Sequence, residues 1–345
     1  MNIELDVSYD YCAGVARRAR SNFYYTFALL PLEKRRAMYA VYAYLRELDD
    51  IADGPMSLEW QALDKKNLST ETLNPDHPTV SERLPLLREL PASPLWQDLR
   101  LGSLDLAQQH RLQRLEAARQ QFNAALSGKS SGPILPALAE TIKAYNIPAE
   151  YFLAVMQGVA ADIAGQEYAT WAELRTYCYR VASVVGLICL HIWGFRDERA
   201  FPPAIACGLA FQLTNILRDL GEDAAGKRIY LPRDEIIASG YTIRELEEGI
   251  VNSGYERLIQ QQIGRARGLY SEAEELPRHL QRDGQRIYAA MFATYRALLD
   301  KVSERRDQLL QNRVRIGRWH KVWIAARALW QTRLGAPRET QATRV

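Results

Sequence analysis

The sequence predicts an all-α protein. Apolar residues recur at helical spacing along almost the whole chain, while period-two alternation and Asn-Gly hairpin signals are scarce. Prolines and glycines mark the breaks between the periodic stretches. No repeat of the solenoid kind appears, so residues 1–345 are expected to form a single-domain helical bundle.

The elements follow in order. Helices are expected at about 9–28 and 32–52, separated by "LLPLEKR", and the second stops at "ADGPMS". A polar stretch over about 54–100, broken by prolines and carrying one short periodic run at 81–90, reads as a surface excursion. Helices at about 104–127, 133–145 and 148–164 are divided by "SGKSSGPILP" and "YNIPAEY". The greasiest run lies in the helix expected at 171–193; it is shorter than a membrane span and holds His191, which favours a buried core helix. "GFRDERAFPPA" separates it from 201–221, and "YLPRDEIIASGYT" leads to 243–251, 254–274, 278–310 and 318–333.

Composition narrows the function. With 48% hydrophobic and 25% charged residues the chain can bury a sizeable core, and a net charge of +3 with no basic strip among stacking aromatics excludes a nucleic-acid binder. Cys12, Cys178, Cys189 and Cys207 form no CxxC pair and lack histidines at ligand spacing, so a reduced chain is expected rather than a disulfide scaffold or zinc site. The opening "MNIELDVSYDY" lacks the basic flank and apolar run of a signal peptide.

Two acidic segments carry the chemistry. In "YLRELDDIADG", Asp49 and Asp53 leave one helix face four residues apart, and Asp50 points further round. In "NILRDLGEDAAGKRIYLP", Asn215, Asp219 and Asp223 form an i, i+4, i+8 row with Gln212 one turn earlier. Like charges at this spacing cost a helix roughly 0.2–0.5 kcal/mol per pair. Arg46 and Arg218 could offset that as i+3 and i+1 partners, giving only a charged solvated face. The flanking runs "MYAVYAYLRELDDIA" and "IACGLAFQLTNILRDL" instead predict helices buried on most sides. Inward carboxylate rows call for a cation. Oxygen-only donors favour Mg²⁺, which completes its shell with water and substrate phosphate. Arg46, Arg218 and Arg228 would then hold diphosphate oxygens.

The segments "SNFYYTFALLPLEKRRAMYAVYAYLRELDDIAD", "YCYRVASVVGL" and "AFQLTNILRDLGEDAAGKRIYLPRDEI" closely resemble the squalene/phytoene synthase family of head-to-head prenyl synthases. That resemblance implies an isoprenoid-synthase bundle with a central active-site cavity, where Mg²⁺ and the diphosphates of two allylic prenyl substrates meet. Asp49 and Asp53 would be the first metal pair, and Asn215, Asp219 and Asp223 the second. Tyr177 joins the four aspartates as a catalytic candidate. The resemblance assigns diphosphate or donor-site contacts to Ser21, Asn22, Arg46, Gln212, Arg218, Arg228 and Tyr230, with the last two on a flap closing over the diphosphate. Tyr42 and Tyr295 would line the site and Lys321 would add charge near a phosphate. Asp162 would sit near the reaction centre or in a structural ion pair. Phe23, Phe27, Val181, Ala182, Val185 and Gly186 would wall the tunnel for the prenyl tail.

The implied reaction is ionisation of one allylic diphosphate, attack by the double bond of the second, and closure to a cyclopropyl intermediate such as presqualene diphosphate. The compact form looks more like the bacterial presqualene diphosphate or phytoene synthases, and the resemblance alone points to two farnesyl diphosphates and a C30 product; the alternative is a phytoene synthase using two geranylgeranyl diphosphates. NADPH would be needed only if the product is squalene. A non-catalytic assembly factor of the same superfamily would have lost metal carboxylates, and here both pairs stand. Over 313–334, Ile316, Trp319, Trp323, Ala326 and Trp330 share a helical stripe, which suits either a bundle cap or an interfacial helix resting on membrane lipid. The expected setting is the cytoplasm, with the inner membrane face and downstream enzymes of the same pathway as further partners.

Overall fold

The computed structural model describes residues 3–19, 26–53 and 104–315. Among these residues every regular element is a helix, and the only strand-like pairing is one isolated bridge between Phe195 and Leu280. The chain forms two compact units, Met1–Val15 with Tyr39–Gln166, and Ala16–Met38 with Glu167–Val345. Helices α1 (Ile3–Ala19) and α2 (Leu32–Asp53) run from one unit into the other.

The first unit holds the later part of α2 with α3 (Leu106–Leu126), α4 (Leu135–Ala144) and α5 (Ala149–Ala164). Asp105 starts α3 with a capping box: its carboxylate accepts from the Gln108 amide at 2.7 Å, and Gln108 Oε1 accepts from the Asp105 amide at 3.0 Å. Tyr44, Phe122 and Phe152 meet ring to ring at 5.4–6.1 Å in the core of this unit. Each such ring buries on the order of 150–250 Å². Ser8 fixes the start of α1 against the α3–α4 turn, donating to the Pro133 carbonyl at 2.8 Å.

The second unit is built on α8 (Phe201–Ala225), which enters through Pro202 and Pro203 at its first turn and packs against α6 (Trp171–Cys178), α7 (Val184–Trp193), α11 (Ser253–Ala273) and α12 (Arg282–Glu304). Between α6 and α7 the helix widens into a π turn, Tyr179–Ser183. Gly208 of α8 makes this fit possible: a Cβ there would lie 2.6 Å from the Ser183 amide nitrogen, and the Ser183 hydroxyl donates to the Ile205 carbonyl at 2.8 Å. Two short helices, α9 (Arg233–Ala238) and α10 (Ile243–Glu247), follow α8.

Most expected helices appear within a few residues, with four differences. The first begins at Ile3, where Glu4 and Asp6 suit the positive end of the helix dipole, and its described part ends at Ala19. The helix expected at 201–221 runs on to Ala225, taking in the last acidic residues. The run expected at 278–310 is a 3₁₀ turn, then α12 over Arg282–Glu304, then another 3₁₀ turn. The short helix α9 was not expected. Helices expected at 81–90 and 318–333, and the excursion through residue 103, lie outside the described residues.

Trp171–Trp193 and Glu198–Ala225 are long and apolar enough to cross a membrane by length and composition, a finer result than the sequence reading, which saw no spanning segment. Their apolar windows are 61% and 67% buried inside the protein, so packing already accounts for their composition.

Candidate active site

In the first unit the acid row ends α2. Asp49 is exposed, yet protein atoms crowd around its carboxyl. That enclosure pushes its pKa up to about 6; Arg46 opposes the rise, and Asp53, Asp50 and Asp162 add to it. Asp162, on α5, is therefore close enough to Asp49 to act on its charge. Glu47 is likewise raised to about 6 by burial and by Asp50, against the pull of Arg114. The ion pair on this helix differs from the expected one: Arg46 Nη2 meets Asp50 Oδ1 at 2.7 Å, one residue beyond Asp49. Asp50 is thus the salt-bridge partner, and Asp49 stays with its fellow carboxylates. Tyr42 is half-buried on the same helix.

In the second unit the row on α8 is half-buried at Gln212, Asn215, Arg218, Asp219 and Asp223, within a helix otherwise mostly buried. The Asn215 amide nitrogen faces Gln212 Oε1 at 3.4 Å, and its side chain hydrogen-bonds Tyr295. Asn215 Oδ1 is buried with no hydrogen-bond partner. Arg218 forks onto Asp219, with Nε 2.8 Å from Oδ1 and Nη2 on Oδ2. Tyr295 stacks flat on Phe211 at 4.0 Å, and its hydroxyl pKa is raised by burial against the pull of Arg218. Five of the predicted residues, Gln212, Asn215, Arg218, Asp219 and Tyr295, thereby share one polar cluster.

Three features support a divalent cation. The donors are oxygens only, a buried amide oxygen lacks a partner, and the first row holds like charges that disfavour one another's ionised form. No three His, Cys, Asp or Glu side chains converge on one point among the described residues. The donor set is open, as suits an ion that keeps waters and phosphate oxygens in its shell.

The flap is seated by its end and its ring. Lys227, in the left-handed conformation at φ 57°, closes a Schellman motif in which the Lys227 amide donates to Ala224 at 3.0 Å and the Arg228 amide to Asp223 at 2.8 Å. Arg228 is exposed. The Tyr230 ring lies 5.4 Å from Tyr177, which in turn lies 5.2 Å from Tyr168. After the flap, the Arg233 and Asp234 amides donate to the Tyr168 and Ala169 carbonyls at 3.0 and 3.1 Å. Glu235 then meets Arg265, whose guanidinium sits 4.2 Å above the Trp171 ring.

Val181, Ala182, Val185 and Gly186 are half-exposed along one stripe of a helix buried nearly everywhere else. Phe27 is buried. Ser21, Asn22, Phe23 and Lys321 lie outside the described residues. All four cysteines are buried and outside any disulfide, and burial raises the thiols of Cys12, Cys189 and Cys207 to about 12. The sequence reading missed Tyr168 and Arg313; the latter contacts Asp219 Oδ1 at 2.7 Å and Glu222 Oε2 at 3.1 Å.

An all-α fold with acid rows on two helices, one of them interleaved with an amide and an arginine, defines the isoprenoid-synthase class. The family described as Squalene/phytoene synthase matches residues 16–320. A phytoene synthase of Arthrospira platensis is 30% identical, covering 91% of this chain and 90% of its own. The 15-cis-phytoene synthase of Synechococcus elongatus is 28% identical, covering 92% and 91%. Among solved structures, a dehydrosqualene synthase shares the fold at TM-score 0.73 and 23% identity, covering 96% of this chain and 98% of its own. A squalene synthase from Alicyclobacillus acidocaldarius does so at 0.70 and 24%, covering 88% and 96%. The chain belongs to the squalene/phytoene synthase family and is a prenyltransferase of the head-to-head type.

Proposed function

We propose that this enzyme joins two geranylgeranyl diphosphates head to head, through a cyclopropyl diphosphate, to phytoene in a Mg²⁺-dependent reaction. The Gln212–Asn215–Arg218–Asp219 stripe with Tyr295 carries the reading, because it offers one cation-binding face and one guanidinium to the same group. Asp219, Asp223 and Asn215 would hold the cation at one row, and Asp49 and Asp53 at the other. Bound there, Mg²⁺ supplies Lewis-acid stabilisation of the departing diphosphate. Arg218 and Arg228 neutralise charge as the diphosphate leaves C1. The stacked rings of Tyr177, Tyr168 and Tyr230 exclude water and present faces that stabilise positive charge. Val181, Ala182, Val185 and Gly186 give the prenyl tail a smooth apolar wall.

The C20 substrate departs from the C15 preference of the sequence reading. Its support is that the relatives of 27–30% identity spanning 86–92% of this chain are named phytoene synthases. Farnesyl diphosphate is the second reading, favoured by the names of the two structural relatives above. Incubation with Mg²⁺ and each diphosphate, with and without NADPH, separates them. A C40 product formed without NADPH is expected; a C30 product alone would establish the second reading, and no product from either would overturn both.

A further inference from the structure

Arg313 was not anticipated, and the fold delivers it with care. It follows α12 on the segment 305–315, which is fastened at several points. The Tyr255 hydroxyl donates to the Arg306 carbonyl at 2.6 Å, Arg306 Nε meets Glu256 at 3.0 Å, and Leu309 and Val314 are buried. Gly221 allows the closest approach: a Cβ there would stand 2.8 Å from the Leu309 carbonyl oxygen and collide with that of Leu310. The segment therefore lies directly on α8 beside Asp219. Arg313 Nε reaches Asp219 Oδ1 at 2.7 Å and Nη1 reaches Glu222 Oε2 at 3.1 Å.

Asp219 thus accepts from two guanidiniums. A carboxylate offers about four lone-pair sites, and Arg218 and Arg313 occupy three of them. Arg218 and Arg313 also balance Asp219 and Glu222 charge for charge. A divalent cation arriving alone would meet a carboxylate already neutralised, with two fixed positive groups alongside it. A diphosphate arriving with the cation reverses that balance.

We infer that Arg313 makes cation binding at the Asn215–Asp219–Asp223 row conditional on diphosphate. This rests on the proposed role of that row and adds a coupling to it. By linkage the dependence is mutual, so diphosphate binding must depend on the cation by the same factor. The device would keep the row from sequestering metal in the absence of substrate.

The test uses Mn²⁺ on the full-length protein, with protein-bound ion counted by equilibrium dialysis, alone and with inorganic pyrophosphate on both sides of the membrane, because pyrophosphate itself chelates the ion. Wild type should bind Mn²⁺ weakly alone and more tightly with pyrophosphate. Arg313→Gln should bind Mn²⁺ alone about 5–10-fold more tightly, and the enhancement by pyrophosphate should shrink by a like factor. Arg313→Lys, which keeps the charge, should retain most of the coupling. Glu222→Gln should move the other way and weaken Mn²⁺ binding in the absence of pyrophosphate; it also serves if Arg313→Gln fails to fold. Mn²⁺ bound no more tightly by Arg313→Gln, or Glu222→Gln unchanged, would overturn the inference while leaving the metal row standing. Mn²⁺ bound by none of the proteins, even with pyrophosphate, would overturn the row itself.

Discussion

Asp219 is the residue on which most of the second row depends. Its carboxylate holds Arg218 and Arg313, whose side chains are only 20% and 35% exposed, so its removal leaves two guanidiniums short of a partner. Asp219→Ala should lower pyrophosphate release at least about 10²-fold. The same change should cost about 1–3 kcal/mol in urea unfolding. Near-normal turnover would remove Asp219 from the mechanism. Lys227 makes the opposite case. It holds a left-handed conformation that glycine adopts freely, with Gly226 one position too early to relieve it. Lys227→Gly should therefore gain about 0.5–1 kcal/mol, read from the unfolding midpoint, because the strain relieved exceeds the added entropy of the unfolded chain. The carboxylates and arginines on the acidic helices could be read from spacing, since helical periodicity alone decides which share a face. Arg313 could not. It sits among several arginines in "QNRVRIGRW", and only the close approach at Gly221 selects it.

Among the elements, the α6–π–α7 helix and the flap anchor carry testable consequences. The helix itself was legible, because its apolar run is unbroken; the π turn was not, because it depends on Gly208 of a different helix meeting Ser183. Gly186 lies on the half-exposed stripe, and a Cβ there would meet only the Ala204 carbonyl oxygen at 3.6 Å, an ordinary contact. Gly186→Ala should fold normally, stabilised by about 0.5–1 kcal/mol as a helix-interior glycine replacement. If the stripe walls the tail, it should raise KM for geranylgeranyl more than for farnesyl diphosphate. Equal KM changes would take the stripe out of chain-length selection. In the flap anchor, Glu235 is 13% exposed at its side chain and receives Arg265 Nη1 and Gln262 Nε2 at 2.9 and 2.6 Å. Burial alone would raise its pKa, but those hydrogen bonds and the Arg265 charge outweigh it and hold the group below its ordinary value of 4.5. A depressed carboxylate pKa gives stability that is present above the unfolded value and lost as pH falls through the folded one. Glu235→Gln should thus be destabilised by about 1–3 kcal/mol at neutral pH, with its deficit to wild type closing below the ordinary carboxylate range. A deficit unchanged in acid would mean that shape, not charge, is what Glu235 contributes.

At the scale of the whole molecule, the question is whether metal belongs to the fold or only to the reaction. Every helix in the described residues except α9 was foreseeable in kind from periodicity, and such helices hold by apolar burial rather than by ligation. The polar groups argue likewise: Asp219 is satisfied by guanidiniums, Arg46 pairs with Asp50, and the tyrosine stack at the flap packs ring on ring. The first row pulls mildly the other way, since burial first and neighbouring carboxylates second raise Asp49 to about 6, and a cation would relieve the part due to repulsion. Relief of one partly solvated row is small beside a core of this size. EDTA should therefore abolish pyrophosphate release while leaving the unfolding midpoint within about 2 °C, a shift worth at most about 1.5 kcal/mol for a chain of this length. Mg²⁺ and pyrophosphate together, each at about 100 times its dissociation constant, should instead add at least about 5 kcal/mol, about 2.7 kcal/mol for each ligand, by binding only the native state. A collapse of the midpoint in EDTA, followed by recovery on adding Mg²⁺ alone, would show that a cation holds the acidic helices together in the resting protein. It would also contradict the balance of charges assigned to Arg218 and Arg313, because an Asp219 already neutralised has no such need of metal.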